Sequence, residues 1–224
     1  MKKLVLSFCA VLILVTHASA QGLIISQYYE GNAGTNRALE LWNTTGSAID
    51  FSITNLVIEN YFNGGAVANT LTITTGVVAA GDVFMISNTD TAGDAGLAAA
   101  GITTDFDTTN AAMNYNGDDA LSILLGGVLQ DSFGQQGVDP GTAWGTTVSS
   151  ANQNIQLKVG IVTGDLVPTD AFDPAFRFDL VATADNSGAA FEGFGVAPIP
   201  EPSTYALLGI GLLIGAQRLR RKKH

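Results

Sequence analysis

Asp118 and Asp119 stand side by side in the stretch NYNGDDALSILL. Paired carboxylates about 5 to 9 Å apart perform general acid and base work on glycosidic bonds. Consecutive strand residues point to opposite faces, which places this pair poorly for one shared substrate. Asn116, Gly117 and an aspartate are also the types that supply turn hydrogen bonds, so the stretch reads more simply as a turn before ALSILL. Glu30 and Glu40, on neighbouring expected strands, form a second candidate pair, with solvent-facing carboxylates as the plainer account. Calcium is the cofactor for which ligand types are present. NTDTAGD (88–94) and DFDTTN (105–110) alternate oxygen donors, and calcium takes about six to eight of these. Neither segment carries a glutamate at the twelfth loop position, so surface solvation competes with metal binding. Trp42 and Trp144, with Tyr28, Tyr29, Tyr61 and Phe62, offer rings for stacking on a sugar. Strand aromatics more often pack into a sheet. Trp144, in DPGTAWG, is the most loop-like and is expected to be exposed.

Much other chemistry is excluded between residues 22 and 196. The chain's one cysteine is Cys9, and its two histidines are His17 and His224. The body therefore has no disulfide framework, no Cys/His zinc site and no Cys-His or Ser-His-Asp arrangement. Its only lysine is Lys158, and no glycine-rich loop ends in Lys-Ser or Lys-Thr. No residue is nominated as catalytic, and none as a metal ligand. Arg37, Lys158 and Arg177 face 19 of the chain's 20 carboxylates, all but Glu201, giving a net charge of −16. Such a surface repels nucleic acid and anionic lipid.

The two ends reverse this balance. Lys2 and Lys3, an apolar run from Leu4 to Val15, and Ala18-Ser19-Ala20 have the order of a secretory signal peptide over residues 1–20. At the other end Pro200-Glu201-Pro202 precedes Ser203, Thr204 and an uncharged run to Ala216. Arg218, Arg220, Arg221, Lys222 and Lys223 follow. A helix from Ser203 would reach about 21 Å against a hydrocarbon core of about 30 Å. It would serve as a short, weak membrane anchor, with the basic cluster held on the cytoplasmic side. Together these residues resemble the PEP-CTERM sorting signal, over residues 198–224. The resemblance implies recognition by an exosortase-type processing enzyme, a transient stay in the inner membrane, and delivery to the cell surface or an exopolysaccharide matrix.

The body between the ends (22–196) is one expected all-β domain. LIISQYYE, RALELWN, NLVIENYF, TLTIT and DVFMIS read as strands, and ALSILL and VLQDSF flank the hairpin turn Gly126-Gly127. In RALELWN, Leu39 and Leu41 share one face and Glu40 and Trp42 the other. Helical potential is confined to AGLAAAG. Short strands with Gly, Asn and Asp punctuation argue an antiparallel β-sandwich. The order of these segments, above all NGDDA and LLGGVLQDSFG, resembles a lamin-tail domain over residues 23–178. That implies an immunoglobulin-like sandwich with no catalytic residue to carry over. Gln27 stands where the family often has glutamate, and Phe178 where tryptophan is common. The expected function is a non-enzymatic structural or adhesive surface module, partnered by exopolysaccharide or other surface proteins. A calcium- or glycan-binding module and a carboxylate-based hydrolase are the alternatives.

Overall fold

The computed structural model describes residues 22–66 and 68–199. The first strands are β1 (Leu23–Glu30), β2 (Arg37–Asn43), β3 (Ile49–Asp50), β4 (Leu56–Tyr61), β5 (Asn69–Ile73), β6 (Val77–Val78) and β7 (Val83–Asn88). Helix α1 (Thr91–Ala100) follows, then β8 (Phe106–Asp107), β9 (Ala120–Leu125), β10 (Val128–Phe133) and β11 (Gln153–Leu157). A one-turn helix, α2 (Pro174–Arg177), leads into β12 (Phe178–Thr183). One sheet has the order β12-β11-β1-β2-β7-β8 and a second the order β10-β9-β4-β5; β3 and β6 form a small pair. Every pairing is antiparallel except β7 with β8, which is parallel and departs from the purely antiparallel expectation.

The local signals act as their chemistry dictates. Gly126 and Gly127 take φ of 58° and 79°, the two positive values that a tight turn needs to match the twist of its strands. That turn pairs Val128 with Leu125. Asp90 caps α1, accepting from the Ala92 and Gly93 amides at 2.9 and 3.1 Å. This cap starts the helix at Thr91, ahead of AGLAAAG, and Gly101 at φ 73° ends it.

The two larger sheets pack face to face over a shared core that includes Tyr28, Leu39, Leu41, Ile58, Ile123, Phe133 and Phe178. Tyr28 stacks on Phe133 at 4.3 Å and leans on Tyr115 at 4.8 Å. The Tyr115 hydroxyl donates to the Ala38 carbonyl at 2.8 Å, so the buried ring keeps a partner for its polar end. Phe178 is fully buried against Phe133. Trp144 corrects the sequence expectation: only 5% of it is exposed. Its loop folds back so that the Trp144 amide donates to Ser150 Oγ at 2.8 Å. The ring meets Phe172 edge-on at 6.0 Å.

β1 and β2 are buried along their whole length, because the outer face of their sheet is covered too. A second core there joins Tyr29, Ala38, Met85 and Leu97 to Ala184, Ala190, Phe191 and Phe194. The last four belong to the segment after β12, residues 184–197, which lies back across the sheet as a strap.

Candidate functional site

Asp118 and Asp119 occupy the turn that their neighbours suggested. The Asp119 carboxylate accepts from the Asn63 amide at 3.0 Å and the Asn116 amide at 2.9 Å. Burial pushes both aspartates above the usual carboxylate range. Asp118 Oδ1 and both amide atoms of Asn60 are buried without a hydrogen-bond partner among the described residues.

Glu30 and Glu40 are not solvent-facing, which corrects the simpler account of them. Strand alternation puts them on opposite faces of the sheet, Glu30 with Tyr28 and Glu40 with Ala38, so they are not a pair. Glu30 meets the Arg37 guanidinium at 2.9 Å and accepts from the Asn152 amide. Burial raises its pKa, and Arg37 opposes the rise. Glu40 is 0% exposed. It accepts from Ser26 Oγ at 2.7 Å and from the Gly195 amide. Burial pushes it up to about 7, and the Asp105 and Asp82 carboxylates add to the rise.

The calcium candidates are committed to the fold. Asp90 caps α1, and Asp94 accepts from Thr89. Asp105 accepts from the Met85 amide at 2.8 Å, and Asn110 from the Ala112 amide at 2.8 Å. Among the described residues no group of three or more His, Cys, Asp or Glu side chains is arranged to hold a metal. The sugar-stacking candidates separate in the same way. Trp42, Trp144, Tyr28 and Tyr29 are buried in the two cores, while Tyr61 and Phe62 are half-buried at the end of β4.

The most organised polar arrangement is one that no sequence motif announced. Residues paired across neighbouring strands form a row of Met85, Glu40, Gln27, Gln156 and Asp179 from β7 to β12. Its central members, with Asn154, read the backbone of the strap. Gln27 Nε2 donates to the Glu192 carbonyl and to Asn154 Oδ1, each at 2.7 Å. Asn154 Nδ2 donates to the Ala190 and Glu192 carbonyls, both at 2.9 Å. Gly193 takes φ 92°, and an added Cβ would lie 3.0 Å from Gln27 Oε1 and 3.1 Å from Gln156 Nε2. The strap thus needs glycine to lie this close. Phe191 stacks on Tyr29 at 4.3 Å, and Phe194 meets the same ring edge-on at 6.5 Å. A shallow cleft of about 340 Å³ remains between Ala100, Ile102 and the strap.

The alternation of amides on one face of QNIQL was the available signal. Gln153, Asn154 and Gln156 are polar, and the strand looks like a surface one until the strap is seen to cover Asn154 and Gln156.

The strap runs directly into the tail. Pro200, Glu201, Pro202, Arg218, Arg220, Arg221, Lys222 and Lys223 lie outside the described residues, as do the expected signal peptide and membrane helix. Among the described residues no helix is long and apolar enough to cross a membrane. Residues 198–222 match the model of the PEP-CTERM protein-sorting motif. No curated protein and no solved structure matches the chain. The motif marks an exported surface protein handled by an exosortase-type processing enzyme. Its described part is a β-rich fold of two packed sheets.

Proposed function

We propose that this protein is a non-enzymatic structural or adhesive module of the bacterial cell surface or its exopolysaccharide matrix. The single observation that carries the reading is the sorting motif at residues 198–222. On this reading residues 1–20 are a signal peptide, and residues 22–196 are a lamin-tail-like, immunoglobulin-like sandwich. The apolar run up to Ala216 is a short membrane anchor, with its basic cluster in the cytoplasm, that the processing enzyme acts upon. A passive role is supported by the state of the carboxylates. Glu30, Glu40, Asp119 and Asp131 accept hydrogen bonds from the fold's own amides, which gives each of them a part in holding the fold.

Deleting residues 198–224 tests the reading. The truncated protein is expected in the periplasm or the medium, having lost its surface placement, whereas the full chain is processed and retained. Intact, unprocessed chain in the cytosol would overturn it. So would turnover by the purified chain on a panel of glycoside and ester substrates.

A further inference from the structure

Glu40, like Asp119, is a buried carboxylate on which no cation acts, and it binds the strap, a segment that is not part of the sheet. Its neighbours on every side are known. Ser26 on β1 donates to one oxygen, and the Gly195 amide on the strap donates to the other. The charged groups acting on it, Asp82 before β7 and Asp105 before β8, are both acidic. When the strap is down, an ionised Glu40 is therefore buried beside two like charges, with two hydrogen bonds as its only compensation. When the strap is up, the carboxylate is returned to water.

We propose that Glu40 is a proton-operated latch. In its protonated form it holds the strap on the sheet, and ionisation weakens that hold on the chain just before the sorting motif. The protonated carboxyl donates to Ser26 Oγ, reversing the bond that the ionised form accepts, while its carbonyl oxygen still accepts the Gly195 amide. The sign follows from linkage. Burial in the docked structure raises the Glu40 pKa from 4.5 to about 7, and lifting the strap returns the carboxylate toward the lower value, so docking is strongest below that value and weakens as pH rises. Between pH 6 and pH 8 the docking equilibrium falls by about tenfold. Gly195 stands three residues before the motif at 198–222, so the strap's state sets how the tail leaves the domain. That last consequence rests on the sorting function proposed above, whereas the latch does not.

Hydrogen exchange on the full chain in detergent micelles tests the latch directly. After correction for intrinsic rates, protection of the amides of residues 190–197 should fall about tenfold from pH 6 to pH 8. In Glu40→Gln, which keeps both hydrogen bonds without a charge, protection should stay flat. A second variant guards against misfolding of the first: Asp82→Asn should move the transition to lower pH, because one repelling charge is gone. A wild-type strap with constant protection, or the same pH dependence in Glu40→Gln, overturns the proposal. If exchange behaves as expected but tail processing in cells is identical at pH 6 and pH 8, the strap's influence on sorting is overturned and the latch stands.

Discussion

In the middle of the six-stranded sheet, along β1 and β2, both faces are buried, but by different means. The inner face packs against the second sheet through Tyr28, Leu39, Leu41 and Ile155. Burial of such groups is non-directional and roughly additive in area. The outer face has only the smaller apolar cluster around Tyr29, Phe191 and Phe194, and it adds Gln27, Glu40, Asn154 and Gln156, whose side chains bond the backbone of residues 190–195. Such bonds are directional and contribute modest net stability, about 1 kcal/mol each. The inner core therefore holds the domain together, and the outer one sets the path of a single segment. The contrast teaches that full burial does not imply equal strength.

The comparison can be broken from the inside first. Phe133 is fully buried between Tyr28 and Phe178, so Phe133→Ala should cost about 4 kcal/mol in denaturant unfolding. Next comes the ionic tie within that region. Asp131, 0% exposed, accepts from the Ile25 amide at 2.8 Å and from both Arg177 terminal nitrogens at 2.8 and 3.1 Å. Arg177→Met should cost about 3 kcal/mol, because it strands a buried carboxylate, and the loss should shrink when the same unfolding is measured near pH 3. On the outer face Gly193→Ala meets the Gln27 and Gln156 amides. It should cost about 2 kcal/mol, seen as faster proteolytic nicking of the strap with little change in the unfolding of the sheets. The smallest effect should have the opposite sign. Asn60→Val removes two buried atoms without a short hydrogen bond and should raise stability by about 1 kcal/mol where Asp119, whose charged form the Asn60 amide favours, is protonated, read as a higher denaturant midpoint at low pH.

These regions were unequally legible. β1, β2 and the Gly126-Gly127 hairpin have the residues that their conformations require, so strand pattern and turn chemistry sufficed. Gln153–Leu157 was not legible, because its amides mark it as a surface strand and only the strap makes it central. β8 is two residues long and carries no period at all. The candidate sites fared similarly. The turn reading of Asp118 and Asp119 held because Asn116 bonds locally to Asp119. Glu30, Glu40 and Trp144 were misplaced because their burial depends on partners far along the chain, namely Asn152, Gly195 and Phe172. Local sequence holds no record of such distant cover.

The scarcity of positive charge has a practical consequence outside the cell. Trypsin-like proteases cut after lysine or arginine, and residues 22–196 offer only Arg37, Lys158 and Arg177. Arg37 is 8% exposed and tied to Glu30, and Arg177 is gripped by Asp131. Lys158 is also tied, to the Ala175 and Arg177 carbonyls, but with 36% of its side chain exposed it is the most accessible of the three, so digestion of the folded body would begin there and leave everything before it in one piece.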